Sequence, residues 1–423
     1  MAVGPAASNA NAFLEELDET WIQLHTGDPG ASGRVQKPTA AEFFAGIGLA
    51  RLGLEAAGFD VVWSNDIDRD KQAMYVGHFR DPEGRHRFVL EDIANVTADD
   101  LPRNLSLAWA SFPCTDLSLA GWRRGLRGSE SGTFWRFTDI LEKMGNQRPP
   151  IVTLENVTGL ATSHRGKDLA AVIQELNRLG YSVDVLTLDA RRFVPQSRPR
   201  LFVVGAQQPP SDEDETISEL RPDYLQRVFS DSSLITHRKA LPAPPPLRTE
   251  GLSSIVESVP SEDERWWDER RTAAFLASLS AIQAERLDAL RKAKGISYRT
   301  AYRRTRNGVP MWEIRSDDIA GCLRPARGGS SKQALVKAGR GEVRVRWMTP
   351  REYARLMGAD DYRLDGVRRN QALFGFGDAV CVPAVAWLAE NYLMPLLREE
   401  AQLPLAVGEI EEAFNGKKFD GGA

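Results

Sequence analysis

From Thr39 onward the chain alternates short apolar runs with stretches of helical spacing. Residues 40–44 are the first run. The tight loop Ala45-Gly46-Ile47-Gly48 follows, then a helical stretch over 49–57 that closes at Gly58. Residues 60–64 form a second run, ending at Asn65-Asp66-Ile67-Asp68. Further strands are predicted at 87–90, 105–112, 151–154, 182–188 and 201–204, with helices between most of them, notably at 133–144 and 167–179. This alternation predicts an α/β fold with a mostly parallel sheet covered on both faces. Ligands of such sheets sit beyond the carboxyl ends of the strands.

After Gly205 the pattern changes. Pro209-Pro210, an acidic run over 211–215 and a Pro-rich stretch over 241–247 interrupt it. Residues 262–294 read as helical and carry Trp266 and Trp267, and Gly328-Gly329-Ser330-Ser331 reads as a loop. From Met348 a helix start returns, with Thr349 as cap, Pro350 in the first turn and Glu352 three residues after the cap. The stretch 379–397 is apolar enough to be buried. Residues 1–36 fit no core and read as an appendage.

The bulk numbers narrow the class. With 423 residues the chain can build two or three domains. Its net charge of −4 gives no sign of a nucleic-acid partner, but the distribution does: 291–346 holds 15 Lys+Arg against 4 Asp+Glu, with Tyr298, Tyr302 and Trp312 interleaved. Three scattered cysteines argue against a disulfide framework or zinc site and for a reducing, cytoplasmic compartment. No run approaching 18 apolar residues is read, so no membrane span is expected, and the N-terminus lacks a signal pattern.

Candidate chemistry collects at the strand ends. Phe44, Gly46 and Gly48 form a loop whose backbone a ligand can approach, although Arg51 stands where a dinucleotide fingerprint needs its third glycine. Asp66 either accepts from both hydroxyls of a ribose or caps the next helix. Asp92, followed by Ile93, either accepts from an adenine amino group or is a turn residue. Cys114 follows Pro113 in a polar Gly/Ser/Thr-rich stretch, a setting for an exposed nucleophile; Cys322 and Cys381 lack such company and read as structural. Glu155 ends an otherwise uncharged strand, as a paired structural charge or a proton donor tuned by burial. Arg198 and Arg200 alternate along an extended segment and share a face.

The ordered runs TAAEFFAGIGL, SNDID, EDI, FPCTDLSLAG, SGT, TLENV, PQSRPR, RWMTPREYARLMG and FGFGDAV resemble the motif set of the DNA (cytosine-5)-methyltransferases, over about 37–206 and 345–395. The resemblance implies a Rossmann-like, S-adenosylmethionine-dependent methyltransferase fold with a smaller target recognition domain. Its layout would be an N-terminal extension (1–36), a catalytic domain (37–206), the recognition domain (207–345), C-terminal motifs returning to the catalytic domain (346–400) and a tail (401–423). It implies that Phe44, Gly46, Gly48, Asp66, Ile67, Asp92, Ile93, Pro113 and Asp378 line the cofactor site. Cys114 would be the nucleophile and Glu155 would engage the base edge. Arg198 would hold the base O2 while Arg200 orients the site. Asp378 would lie in the loop before the last helix.

Double-stranded DNA is the implied partner, with a flipped cytosine as substrate, Arg303, Arg304, Arg306, Arg324 and Arg327 as candidate DNA contacts, and the protein acting as a monomer. Family habit adds a restriction or phage-defence system. Three positions depart from the family's pattern: Thr115 replaces its usual Gln, Asp66-Ile67 replaces an acid followed by an aromatic, and Asp378 puts a charge where an amide is expected. Two rival readings are a tRNA-methylating relative, against which the long variable region argues, and a DNA-binding relative without activity, against which the intact Cys, Glu and Arg residues argue.

Overall fold

The computed structural model describes residues 37–113, 132–214, 216–306, 308–325 and 331–402. Seven strands form the main sheet: β1 (Thr39–Phe43), β2 (Asp60–Asp66), β3 (Arg87–Leu90), β4 (Leu107–Ala110), β5 (Ile151–Val157), β6 (Ser182–Asp189) and β7 (Pro199–Ala206). Their order is β3-β2-β1-β4-β5-β7-β6. The pairs from β3 to β5 are parallel, and β7 runs antiparallel to both β5 and β6. The sheet is therefore mixed and mostly parallel, as the alternation predicts. The chain leaves β1 toward β2 on one side and returns to β4 on the other, so the crevice for a ligand lies beyond the ends of β1 and β4.

Successive strand residues face opposite ways, and both faces are covered. Ala40, Leu107 and Ile151 enter one core, packed by α1 (Leu49–Ala56) and by helices from the end of the chain. Ala41, Ala108 and Val152 enter the other core, closed by α3 (Thr133–Met144) and α4 (Lys167–Arg178). Between them in the chain, α2 (Arg69–Phe79) follows β2. Arg51 occupies the interior instead of a glycine. Its guanidinium pairs with Glu55 and Asp81 and lies 3.9 Å from the centre of the Phe79 ring, bolting α1 to the segment after α2.

The break in texture at Gly205 marks the end of β7 but not the end of the main body. A bridge joins Val183 to Thr236, and the buried Arg221–Asp184 ion pair (2.5 Å) ties the following segment to β6. This segment contains α5 (Asp223–Phe229) and α6 (Leu252–Ile255), and Leu252 and Ile255 belong to the α1-side core. The stretch read as helical from 262 to 294 holds two helices, α7 (Glu269–Ala277) and α8 (Ala281–Lys292). Trp266 and Trp267 precede them, and Trp267 packs on Phe275, Trp312 and Trp347.

The basic region folds as a second, antiparallel sheet that the sequence reading did not anticipate. Its strands are β8 (Ser297–Arg306), β9 (Val309–Ile314), β10 (Ala334–Gly339) and β11 (Glu342–Trp347), in the order β11-β10-β8-β9. Its inward positions are partly small (Ala301, Ala334, Ala338) around Phe275, Trp312 and Val345, so the apolar alternation is faint.

The return to the main body is α9 (Pro350–Leu356), capped as the sequence predicts: Thr349 Oγ1 accepts from the Glu352 N–H (3.1 Å), and Glu352 accepts from the Thr349 N–H (2.9 Å). Glu352 also pairs with the buried Arg346, so one charge of the basic region is internal. Helices α10 (Arg369–Asp378), α11 (Val382–Leu388) and α12 (Met394–Gln402) follow. Contrary to the reading that no long apolar run exists, Arg369–Glu399 is long and apolar enough to cross a membrane, but Leu373, Phe376, Val385, Leu388 and Tyr392 lie inside the core.

Candidate active site

Beyond β1 the backbone turns through left-handed conformations at Phe44 (φ 56°), Gly46 (φ 58°) and Gly48 (φ 81°). The two glycines do different jobs. A Cβ on Gly48 would come within 2.5 Å of the Phe79 ring, so this glycine lets α2 pack close. A Cβ on Gly46 would meet open space, so the backbone there is approachable. The Gly46 N–H donates to Asp66 Oδ2 (2.8 Å), and the Asp68 N–H donates to Asp66 Oδ1 (2.8 Å). Asp66 is therefore not the helix cap; Asp68 is, accepting from the Asp70 and Lys71 N–H groups. Burial raises the pKa of Asp66 above the usual carboxylate range, against the Lys71 ammonium and the two N–H donors. Ile67 beside it is 67% exposed.

Asp92 uses Oδ1 to cap the short turn Ile93–Asn95 through the Ala94 N–H (2.9 Å), and Ile93 is buried. The turn reading of Asp92 thus accounts for one of its oxygens. The end of β4 is fixed by Asn156, whose Nδ2 donates to the Phe112 carbonyl (3.1 Å). Pro113 is exposed, and Cys114, which follows it, lies outside the described residues.

Glu155 and Arg200 meet at the carboxyl end of β5, Arg200 Nε lying 2.9 Å from Glu155 Oε1. Both side chains are largely buried, which strengthens an ion pair relative to one in water. Arg198 is placed differently. It is almost fully buried and spends its terminal N–H groups on the carbonyls of Leu323, Gly377 and Ala379 and on the Cys322 sulfur. The expectation placed the base at Arg198 and gave Arg200 an orienting role; in the fold Arg198 is committed to three carbonyls and the Cys322 sulfur, while Arg200 faces the Glu155 carboxylate. Burial and the neighbouring Arg200 lower the pKa of Arg198.

Gln196 was given no role from the sequence, yet it is fully buried. It donates to the Leu356 carbonyl (2.7 Å) and accepts from the Leu323 N–H (3.0 Å). Together with Arg198 it straps residues 320–323 across the site. Its signal was a polar residue two positions before Arg198; nothing in the sequence indicated the remote partners. Cys322, read as structural, lies against both guanidiniums. Burial pushes its thiol pKa up, but Arg198 and Arg200 outweigh this and hold it below the ordinary value. Cys381 is buried and its thiol is pushed up to about 12.

Asp378 is the last residue of α10 rather than part of a loop, and its carboxylate pairs with Lys71 of α2. The charge expected to disturb the site is therefore compensated. Among the basic residues, Arg303 and Arg324 are exposed, and Arg304 pairs with Glu313 (3.3 Å) and lies over Tyr302. Arg306 belongs to β8, with its side chain outside the description, and Arg327 lies outside the described residues. Arg299 and Arg315 are taken up by Asp318 and Asp317.

The sequence matches a known family. The model of the C-5 cytosine-specific DNA methylases aligns with residues 39–393. The chain belongs to that family. The methylase is 26% identical over 364 residues to the type II methyltransferase M.Bsp6I of Bacillus sp. (strain RFL6), covering 84% of this chain and 99% of the relative. It is also 26% identical to M.HpaII of Haemophilus parainfluenzae, with 90% and 96% covered. Among solved structures it resembles the S. pombe Dnmt2 methyltransferase (TM-score 0.54, 17% identity, 87% of this chain and 100% of the other) and the Entamoeba histolytica methyltransferase EhMeth (TM-score 0.54, 15% identity, 87% and 100%). Those two likenesses are of fold. The enzyme is a DNA cytosine-5 methyltransferase.

Proposed function

We propose that this methylase transfers a methyl group from S-adenosylmethionine to C5 of a cytosine flipped out of a specific duplex sequence. The observation that carries the reading is the Glu155–Arg200 ion pair at the end of β5, beside the end of β4 from which the chain runs to Cys114. The cofactor fits the crevice by donor chemistry: the approachable backbone at Gly46, the Asp66 carboxylate for ribose hydroxyls, and exposed Ile67 for the adenine face. When bound, it supplies an electrophilic methyl.

C5 of cytosine is too weak a nucleophile to take that methyl unaided. The Cys114 thiolate adds to C6, forming a C–S bond and making C5 enamine-like. Glu155 hydrogen-bonds or protonates N3 as charge enters the ring, and Arg200 holds Glu155 in place and faces the base O2. C5 takes the methyl, its proton passes to a base, and the Cys114–C6 bond breaks to restore the thiolate. Flipping the base costs roughly a few kcal/mol, which contacts to the duplex must offset.

Residues 207–345 are proposed to include the recognition domain, with the antiparallel sheet presenting Arg303, Arg304, Arg306, Arg324 and Arg327 to DNA. Phosphate contacts of this kind set affinity rather than sequence. The type II names of the relatives support a partner restriction or defence system, and the protein is proposed to act as a monomer on DNA. Duplex DNA containing 5-fluorocytosine tests the chemistry, because fluorine blocks loss of the C5 substituent. The expected result is a covalent complex that requires S-adenosylmethionine and Cys114. Its absence in the wild type overturns the mechanism.

A further inference from the structure

Ile47 sits at the centre of the Gly46–Gly48 turn and is fully buried, so its carbonyl has no access to water. A buried carbonyl without a partner is costly. Its partner comes from the far end of the chain: the Tyr362 hydroxyl donates to it over 2.8 Å. Tyr362 lies between α9 and α10 and is itself fully buried. Its ring is wedged between two helices. It stacks on His78 of α2, with 4.1 Å between ring centres, and meets Phe376 of α10 edge-on at 5.3 Å. The neighbouring Arg363 N–H donates to His78 Nδ1 (3.1 Å), which fixes the stack. Burial holds the Tyr362 phenol above its ordinary pKa, so it stays a donor.

The other bonds of the turn are local or come from β2. The Gly48 N–H donates to the Ala45 carbonyl (2.9 Å), the Ala45 N–H to the Asn65 carbonyl (2.9 Å) and the Gly46 N–H to Asp66. The return of the chain packs the turn from another side. A Cβ on Gly375 of α10 would lie 2.7 Å from Ile47 Cγ2, whereas a Cβ on Gly46 would meet nothing. One side of the turn is thus packed on the C-terminal helices and another is left open. Phe44, a non-glycine residue at φ 56°, keeps its left-handed conformation only because its surroundings hold it there. We propose that Tyr362 is a positioning residue of the cofactor site: its hydroxyl, brought in by the C-terminal return, holds the Gly46–Gly48 turn in the shape that receives S-adenosylmethionine. The proposal rests on the cofactor reading above.

Tyr362→Phe deletes the hydroxyl and keeps the ring, so the packing survives while the Ile47 carbonyl loses its donor. The control is Tyr353→Phe in α9. Tyr353 is equally buried, and its hydroxyl accepts from the Gln333 N–H (3.2 Å) rather than bonding the turn. The measurement is calorimetric binding of S-adenosylmethionine to the full chain, with steady-state methylation of duplex DNA. Tyr362→Phe should weaken cofactor binding and raise the KM for S-adenosylmethionine about 10-fold. Its kcat at saturating cofactor and its KM for DNA should stay unchanged. Tyr353→Phe should keep wild-type cofactor affinity, although it too loses a buried hydrogen bond. Wild-type affinity in Tyr362→Phe, or an equal loss in Tyr353→Phe, overturns the proposal. Absence of binding by the wild type would instead overturn the cofactor reading itself.

Discussion

The two sheets of this methylase are built on different terms. The seven-stranded sheet is closed on both faces by apolar helices, and Asp66, Glu155 and Arg200 sit at one end of it. The four-stranded sheet has one apolar face around Trp312 and leaves Arg303 and Arg304 in solvent. Chemistry needs groups fixed to a fraction of an ångström, which a buried sheet end provides. A duplex offers a long, charged and repetitive surface, which an exposed strand face can follow without such rigidity.

Substitutions in the two sheets should separate this way. The largest effect belongs to the main sheet: Glu155→Gln should lower kcat about 10³-fold while the cofactor still binds, measured by single-turnover methylation. A change confined to KM would contradict the role. Arg198→Met should cost about 3 kcal/mol of stability by chemical denaturation, because three carbonyls of two segments lose a charged donor. The equivalent change at Arg200 should instead be felt mainly in turnover. A stable Arg198→Met protein with normal unfolding would break the distinction between the two arginines. The smallest effect belongs to the second sheet. Arg303→Ala or Arg324→Ala should leave saturating kcat unchanged and reduce the slope of log affinity against log salt by about 1. An unchanged slope would remove that residue from the phosphate-contacting face.

The same contrast explains what could be read in advance. Strand–helix alternation was legible because both faces of the main sheet are apolar, so β3 and α3 were placed at their observed bounds. The second sheet was not legible. Its strands carry arginines on both faces, Arg303 on that of Ala301 and Trp312, and their inward positions are partly alanine, so neither hydrophobic period stands out. The helical reading over 262–294 holds for 269–277 and 281–292, where Asp268 and Ser280 start two separate helices. At the site, motif order singled out Glu155 and Arg200, which the fold brings together. The different surroundings of Arg198 and Arg200 were hidden, since those of Arg198 depend on carbonyls at 323, 377 and 379 that only the fold brings near. The pairing of Asp378 with Lys71 spans more than 300 residues and left no local trace.

The most direct measurement is bisulfite sequencing of DNA from cells expressing the wild type, Cys114→Ala or Arg200→Ala. The account predicts methylated cytosines within one short sequence for the wild type, none for Cys114→Ala, and a strongly reduced level at the same sequence for Arg200→Ala. Methylation that survives in Cys114→Ala, or its absence from the wild type, would contradict the account.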